Sequence, residues 1–230
     1  MKYYKNYNTI IFDEPIDIFP DETDINFIII NFNSPIDLGV YIVDSIHSII
    51  FTDFFDSDIT FTGDKNFRLN CIEFGENYNR NVDNLPTSKK IIFGKKFNQL
   101  VDNLPMGLEI LVFDHFFNQC VDFLPNTLKS LSFGSYFNQS IDNLPDSIEI
   151  LNLGFSFCND LRRLPDNLRL LNLSWNYNKK ILVLPSKLKR LKLSKYYKIN
   201  SRSISRFKLL YLKTNFLNRF EFVENGICYF

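Results

Sequence analysis

The sequence predicts a repeat solenoid: one short parallel β-strand per coil of about 20 residues, with a return side of loop and 3₁₀ turns. Three observations carry this. One phrase recurs every 20 residues: Phe97-Asn98 leads to Val101-Asp102 and Leu104-Pro105, Phe117-Asn118 to Val121-Asp122 and Leu124-Pro125, and Phe137-Asn138 to Ile141-Asp142 and Leu144-Pro145. Ahead of each phrase, apolar residues alternate with period two, the pattern of a short half-buried strand. A coil of this length also leaves no room for a long helix on its return side.

The unit reads L-x-x-L-x-F-G-x-x-F-N-x-x-V-D-x-L-P. Position 6 runs Phe74, Phe93, Phe113, Phe133, Leu153, Leu173, Leu193, and position 4 runs Ile72, Ile91, Leu111, Leu131, Leu151, Leu171, Leu191. Strands of successive coils should stack in parallel at roughly 4.8 Å. The six apolar positions of one coil each contribute about 2 kcal/mol when buried. Ordering the backbone costs roughly 1–2 kcal/mol per residue, so a coil depends on its neighbours.

Position 11 is a column of Asn79, Asn98, Asn118, Asn138, Cys158 and Asn178. A turn buried between coils leaves backbone groups without water, and an Asn amide satisfies donors and acceptors alike. The column is therefore read as a structural ladder. Leucine-rich repeats accept Asn or Cys in such a ladder, which accounts for Cys158. The Asp column (Asp83, Asp102, Asp122, Asp142) precedes x-Leu-Pro, where a carboxylate is expected to accept local backbone N–H bonds. No metal site is expected of it.

These residues resemble the FNIP repeat, a short-repeat member of the leucine-rich-repeat class. The Phe-Asn pairs at 97–98, 117–118 and 137–138 carry the likeness, with Leu-Pro steps recurring from Leu85-Pro86 to Leu184-Pro185. The resemblance covers about residues 67–200 and implies a leucine-rich-repeat-like interaction scaffold of the kind found in amoebae and in the large DNA viruses that infect them. The Asn lies five residues after position 6, where the general leucine-rich pattern has three. Its ladder role is thus inferred from the column and not from register.

The 230 residues contain no Ala and are rich in Phe, Ile, Asn, Lys and Tyr. Continuous repeats argue for one domain. Residues 1–9 read as an exposed arm and residues 10–66 as degenerate capping coils. In the latter, Phe27, Ile30 and Phe32 are assigned to positions 1, 4 and 6, as are Ile46, Ile49 and Phe51. An extra loop is expected near residues 56–64. Residues 67–198 form the regular repeats and residues 199–230 a C-terminal cap. Some FNIP-like proteins carry an F-box ahead of the repeats; the β-branched, aromatic N-terminal segment has no helical period and shows none.

No signal peptide or apolar stretch of membrane-spanning length is visible, and Cys71, Cys120, Cys158 and Cys228 form no disulfide framework. The expected location is cytoplasmic, the host cytoplasm if the source is viral. No nucleotide-binding, zinc-protease or hydrolase motif occurs, and the two histidines, His47 and His115, lie several coils apart. No catalysis, cofactor or metal is expected.

The leading functional reading is a protein-interaction scaffold, because solenoids present extended surfaces. Positions 3 and 5 face outward, with 8 and 9 just beyond. The candidate binding residues are Asn152, Phe155, Arg169, Asn172, Trp175, Lys189, Arg190, Lys192 and Lys195: an aromatic anchor beside a cationic strip, suited to an acidic partner surface. A second reading of the same lysines is protection of a sheet edge. Residues 1–60 hold 11 acidic and 2 basic side chains, and residues 179–230 hold 13 basic and 2 acidic. The ends thus carry −9 and +11, which suggests self-assembly through acidic-to-basic contacts. Nucleic-acid binding by the basic end is the least favoured reading, since no recognition motif accompanies the charge.

Overall fold

The structure is a computed structural model that describes residues 2–22, 24–63, 67–174, 176–179, 181, 184–194, 207–210 and 219–224. In chain order the strands are β1 (Tyr3–Asn6), β2 (Thr9–Phe12), β3 (Phe27–Ile30), β4 (Ile36–Asp37), β5 (Ser48–Phe51), β6 (Ile59–Thr60), β7 (Arg68–Glu73) and β8 (Thr87–Phe93). They continue with β9 (Ile110–Phe113), β10 (Ser130–Ser132), β11 (Ile150–Asn152), β12 (Leu170–Asn172), β13 (Arg190–Ser194), β14 (Phe207–Leu210) and β15 (Arg219–Glu224). The helical element among the described residues is one 3₁₀ turn, Leu38–Val40.

Thirteen strands form one sheet in the order β1-β2-β3-β5-β7-β8-β9-β10-β11-β12-β13-β15-β14. From β2 to β13 every pairing is parallel, one strand per coil, so the chain is a parallel β-solenoid of about nine turns. Residues at repeat position 4 stack on one another, as in Leu111, Leu131 and Leu151. That column is fully buried from Ile10 to Leu191. The six apolar positions of the coil around Phe113 are all buried: Leu108, Leu111, Phe113, Phe117, Val121 and Leu124.

Aromatic rings fill the interior as two adjoining columns. At position 6, Phe51, Phe74, Phe93, Phe113 and Phe133 follow one another with centroids 4.9, 5.2, 5.5 and 5.6 Å apart. At position 10 the column runs Phe55, Tyr78, Phe97, Phe117, Phe137, Phe157, Tyr177, with neighbours 5.9–6.3 Å apart. Within a coil the two rings lie face to face, 3.6 Å apart for Phe113–Phe117. Each ring therefore contacts others along and across the stack. The first column ends where position 6 becomes Leu153, Leu173 and Leu193.

Polar ladders join the turns. The backbone N–H of Asn98 donates to Asn79 Oδ1 (2.9 Å), that of Asn118 to Asn98 Oδ1 (2.9 Å), that of Asn138 to Asn118 Oδ1 (2.8 Å), and that of Cys158 to Asn138 Oδ1 (2.9 Å). The ladder extends upstream without Asn-only chemistry: Asn79 N–H donates to Asp56 Oδ1, and Asp56 N–H to Asn33 Oδ1, both at 2.9 Å. Position 12 supplies a second ladder that pattern reading passed over. Gln119 and Gln139 donate their side-chain amides to the carbonyls of Asn98 and Asn118 (3.0 Å each), and Asn159 donates to Asn138 O (2.8 Å). A third ladder lies at position 20, where Thr127 and Ser147 hydroxyls donate to Leu108 O and Leu128 O at 2.8 and 2.7 Å.

Position 7 holds the coils at close approach. A Cβ placed on Gly134 would sit 2.2 Å from Asp114 O, and one on Gly154 would sit 1.5 Å from Gly134 O. Here glycine is required by the backbone of the preceding coil. Ser174 occupies the same position while fully buried, its hydroxyl donating to Phe157 O at 2.7 Å.

Three expectations are corrected. Residues 3–6 are largely exposed, as expected, but are not a loose arm: they form strand β1, folded antiparallel onto β2, with the Tyr3 ring 5.8 Å from Phe12. In the first coils Ile28 pairs with Ile49 and Ile30 with Phe51, so positions 1, 4 and 6 are Ile25, Ile28 and Ile30, not Phe27, Ile30 and Phe32. A slip of two residues preserves strand parity, so alternation could not detect it. The Asp column does not cap turns as expected. Instead, the position-13 side chain accepts the Asp N–H, from Asp83 to Asn81 Oδ1 (2.8 Å) and from Asp142 to Ser140 Oγ (3.2 Å). The extra segment near residues 56–64 contains β6, which pairs in parallel with β4. Asp37 ties it down by accepting the N–H groups of Gly39 (2.9 Å) and Thr62 (3.0 Å).

Two predictions follow from these contacts. Replacing Asn118 by Ala leaves the Asn138 N–H without its acceptor and should cost about 1–3 kcal/mol in chemical denaturation. Asn118→Asp should cost less, since Asp56 already fills that column with a carboxylate; equal losses would contradict the acceptor role. Gly134→Ala should destabilise the chain by about 1–3 kcal/mol, because Asp114 O blocks the added methyl. An unchanged melting temperature would show that the coils can separate locally.

Candidate interaction surface

One face of the sheet is the core; the other carries positions 3 and 5 in two rows of side chains. The position-3 row includes Phe27, Ser48, Cys71, Lys90, Ile110, Ser130, Ile150, Leu170 and Arg190. Phe27, Ile110 and Ile150 are 37%, 38% and 39% exposed, so this row presents large apolar groups at the surface. Beside it, the position-5 row grades along the axis. Ile29, Ile50, Ile92 and Val112, interrupted by Glu73 between Ile50 and Ile92, give way to Ser132, Asn152, Asn172 and Lys192. Asn152 Nδ2 donates to Ser132 Oγ at 2.8 Å, which orders the start of the polar section.

The structure brings part of the predicted strip together. Asn152, Asn172 and Lys192 are in register on β11, β12 and β13, and Leu170 lies beside Arg190 on the parallel row. Phe155, 53% exposed, stands on the loop that follows β11. Arg169 does not add a free cation, since its Nε lies 3.3 Å from Glu149 Oε2. Lys189 is exposed at the same repeat position one coil on. Trp175 and Lys195 lie outside the described residues. Lys192 does not guard a sheet edge, because β13 is an interior strand with β15 on its far side.

Position 2 has a pattern that sequence inspection passed over. Lys89, Glu109, Lys129, Glu149, Arg169 and Lys189 largely alternate in sign from coil to coil. Lys129 lies 3.5 Å from Glu109, which also receives Arg68 at 3.1 Å. The charges of Lys129 and then Arg68 hold the Glu109 carboxyl below its usual range. The alternation was readable as i, i+20 charge pairs once the period was known.

At the loop after β9, His115, Phe116 and Tyr136 form an aromatic group, with His115–Phe116 centroids 4.7 Å apart and Phe116–Tyr136 5.1 Å apart. Phe116 and Tyr136 are 44% and 52% exposed. His115 is thus packed between rings of its own and the next coil. Desolvation at the turn, followed by interactions with Asp122 and Asp102, pushes the Cys120 thiol up, the opposite of what a nucleophilic thiolate needs. Among the described residues no group of three His, Cys, Asp or Glu side chains is placed to hold a metal ion.

A search of curated proteins finds no match. Among solved structures the chain is similar to the giant-virus protein CroV588, described as a novel circular leucine-rich-repeat protein. The TM-score is 0.52 at 27% sequence identity, over 82% of this chain and 36% of that one. The chain therefore spans little more than a third of the length of that relative. The family model described as FNIP Repeat matches residues 97–136, 121–156 and 160–196. Coils β2–β8 continue the same architecture outside the matched segments, and across the matched ones this solenoid is built of FNIP repeats.

Proposed function

We propose that this solenoid is a non-catalytic protein-interaction scaffold that receives a partner protein on its open sheet face. The observation that carries this reading is the division of each strand. Position 4 is fully buried, while Ile110 and Ile150 on the same strands are more than a third exposed. Apolar groups held in line on a rigid sheet, next to a polar and cationic section, match the composition of interface centres and rims. The partner this composition favours has an apolar ridge flanked by acidic groups, which would meet Arg190 and Lys192. FNIP repeats and the leucine-rich-repeat fold support the reading, since such solenoids commonly serve as scaffolds.

Ile110→Glu combined with Ile150→Glu should abolish capture of cellular partners while changing stability little, since both side chains face solvent. Arg190→Glu with Lys192→Glu should slow association at low salt more than at high salt. Partner capture by both double variants equal to that of wild type, with matching melting temperatures, would remove the sheet face from consideration.

A further inference from the structure

The open sheet face changes character at β7–β9, where the position-5 row passes from Glu73 to Ile92 and Val112. A groove of about 320 Å³ lies there, between the row and the turns that follow the strands. Ile92 and Val112, both half-buried, give it an apolar lining, and the exposed residues Asp53, Glu73, Glu76 and Asp114 add four carboxylates. Asp53 follows β5, Glu73 and Glu76 belong to the coil of β7, and Asp114 follows β9, so only the stacking of coils brings these acids together.

Two of the acids are already engaged. Asp53 Oδ1 accepts the backbone N–H of Glu76 at 2.8 Å, which ties one turn to the next. The Glu76 carboxylate pairs with the ammonium of Lys95. That hydrogen bond, and then the charges of Glu76, Asp114 and Asp53, hold the Lys95 ammonium above the ordinary lysine range. The chain's own lysine thus shows that the groove attracts a cation. Glu73 and Asp114 form no ion pair and accept no side-chain hydrogen bond among the described residues. Asp114 leads directly into the ring group of His115, Phe116 and Tyr136, of which Phe116 and Tyr136 are exposed.

We propose that this groove seats an arginine side chain from a basic segment of the partner protein, with the guanidinium meeting the Glu73 and Asp114 carboxylates and the stem lying on Ile92 and Val112. A guanidinium suits the lining on three counts. Its planar fork takes carboxylates through charge-assisted hydrogen bonds, it gains from aromatic rings nearby, and its methylenes cover apolar surface. The apolar lining, with no group of three metal-ligating side chains among the described residues, favours such an organic cation over a metal ion. The proposal rests on the reading that the open face receives a partner. It adds that the partner is basic where it meets β7–β9, the opposite of the acidic character that suits the far section of the same face.

Fluorescence anisotropy with a labelled peptide of alternating arginine and valine tests this on the full chain, with no cellular partner needed. Wild type should bind the peptide saturably, more weakly as salt is raised, and should not bind the same peptide with glutamate in place of arginine. Glu73→Gln with Asp114→Asn, at exposed sites, should weaken binding roughly tenfold or more with the melting temperature retained. Asp17→Asn with Asp21→Asn makes the same change of charge on exposed residues between β2 and β3 and should leave binding intact. No binding by wild type, equal binding of the glutamate peptide, or equal losses in the two double variants would overturn the proposal. So would a wild type that self-associates and ignores the peptide, which would assign the groove to a second copy. Failure of the sheet-face reading reads out differently: cellular capture would survive Ile110→Glu with Ile150→Glu.

Discussion

The stack depends on one constraint: the backbone of each turn is satisfied by the coil beside it. Asn138 N–H, Asn118 Oδ1, Asn118 N–H and Asn98 Oδ1 form an unbroken sequence of bonds perpendicular to the chain. Gln139 and Gln119 repeat the arrangement through side chain and carbonyl. A buried backbone donor left unpaired costs about 1–3 kcal/mol, and every coil would carry several. Coils therefore gain stability from being next to each other, and at Gly134 and Gly154 the absence of a Cβ lets the backbone of one coil close onto that of the coil before. The ring columns follow from the same spacing. Phe113 and Phe117 fill the space enclosed by a short coil and meet their equivalents in the next.

That coupling also explains the surface. A coil that fills its own interior with rings has its inward strand positions taken by the core. The surface proposed for binding then consists of positions 3 and 5 and the loops at positions 8 and 9. Because the rows are generated by repetition, changing one residue per coil grades the face from Ile92 and Val112 to Asn152, Asn172 and Lys192 without disturbing the stack. The charged position-2 row, Glu109 with Lys129 and Glu149 with Arg169, pairs its own members and so offers less to a partner than the residue types alone suggest.

Much of the fold is legible in the sequence because repetition converts weak signals into columns. Leu111, Leu131 and Leu151 reveal the strand phase, and Asn98, Asn118 and Asn138 stand out in a chain where Asn is common only because they recur in register. Gln119 and Gln139 recur equally well, but glutamine reads as a surface residue until the facing carbonyl is seen. In the first coils, the residue counts between strands vary, and Phe32 has the parity of the core residues Ile28 and Ile30; only the pairing of Ile28 with Ile49 assigns the register. The hairpins at the two ends break the period, so neither β1 nor the β15–β14 pair could be found by counting. On the candidate surface, the rows of Ile150, Leu170 and Arg190 follow directly from the strand phase. The ion pair that engages Arg169 required knowing which coil faces which side chain.

Amide hydrogen exchange at the ladder position addresses the central claim most directly. If the inter-coil bonds hold the solenoid as one cooperative stack, the N–H groups of Asn98, Asn118 and Asn138 will exchange only through openings close in free energy to global unfolding, despite lying in turns. Exchange of these three amides at the rate of exposed loop amides, while the strand amides of Leu111 and Leu131 stay protected, would contradict the account.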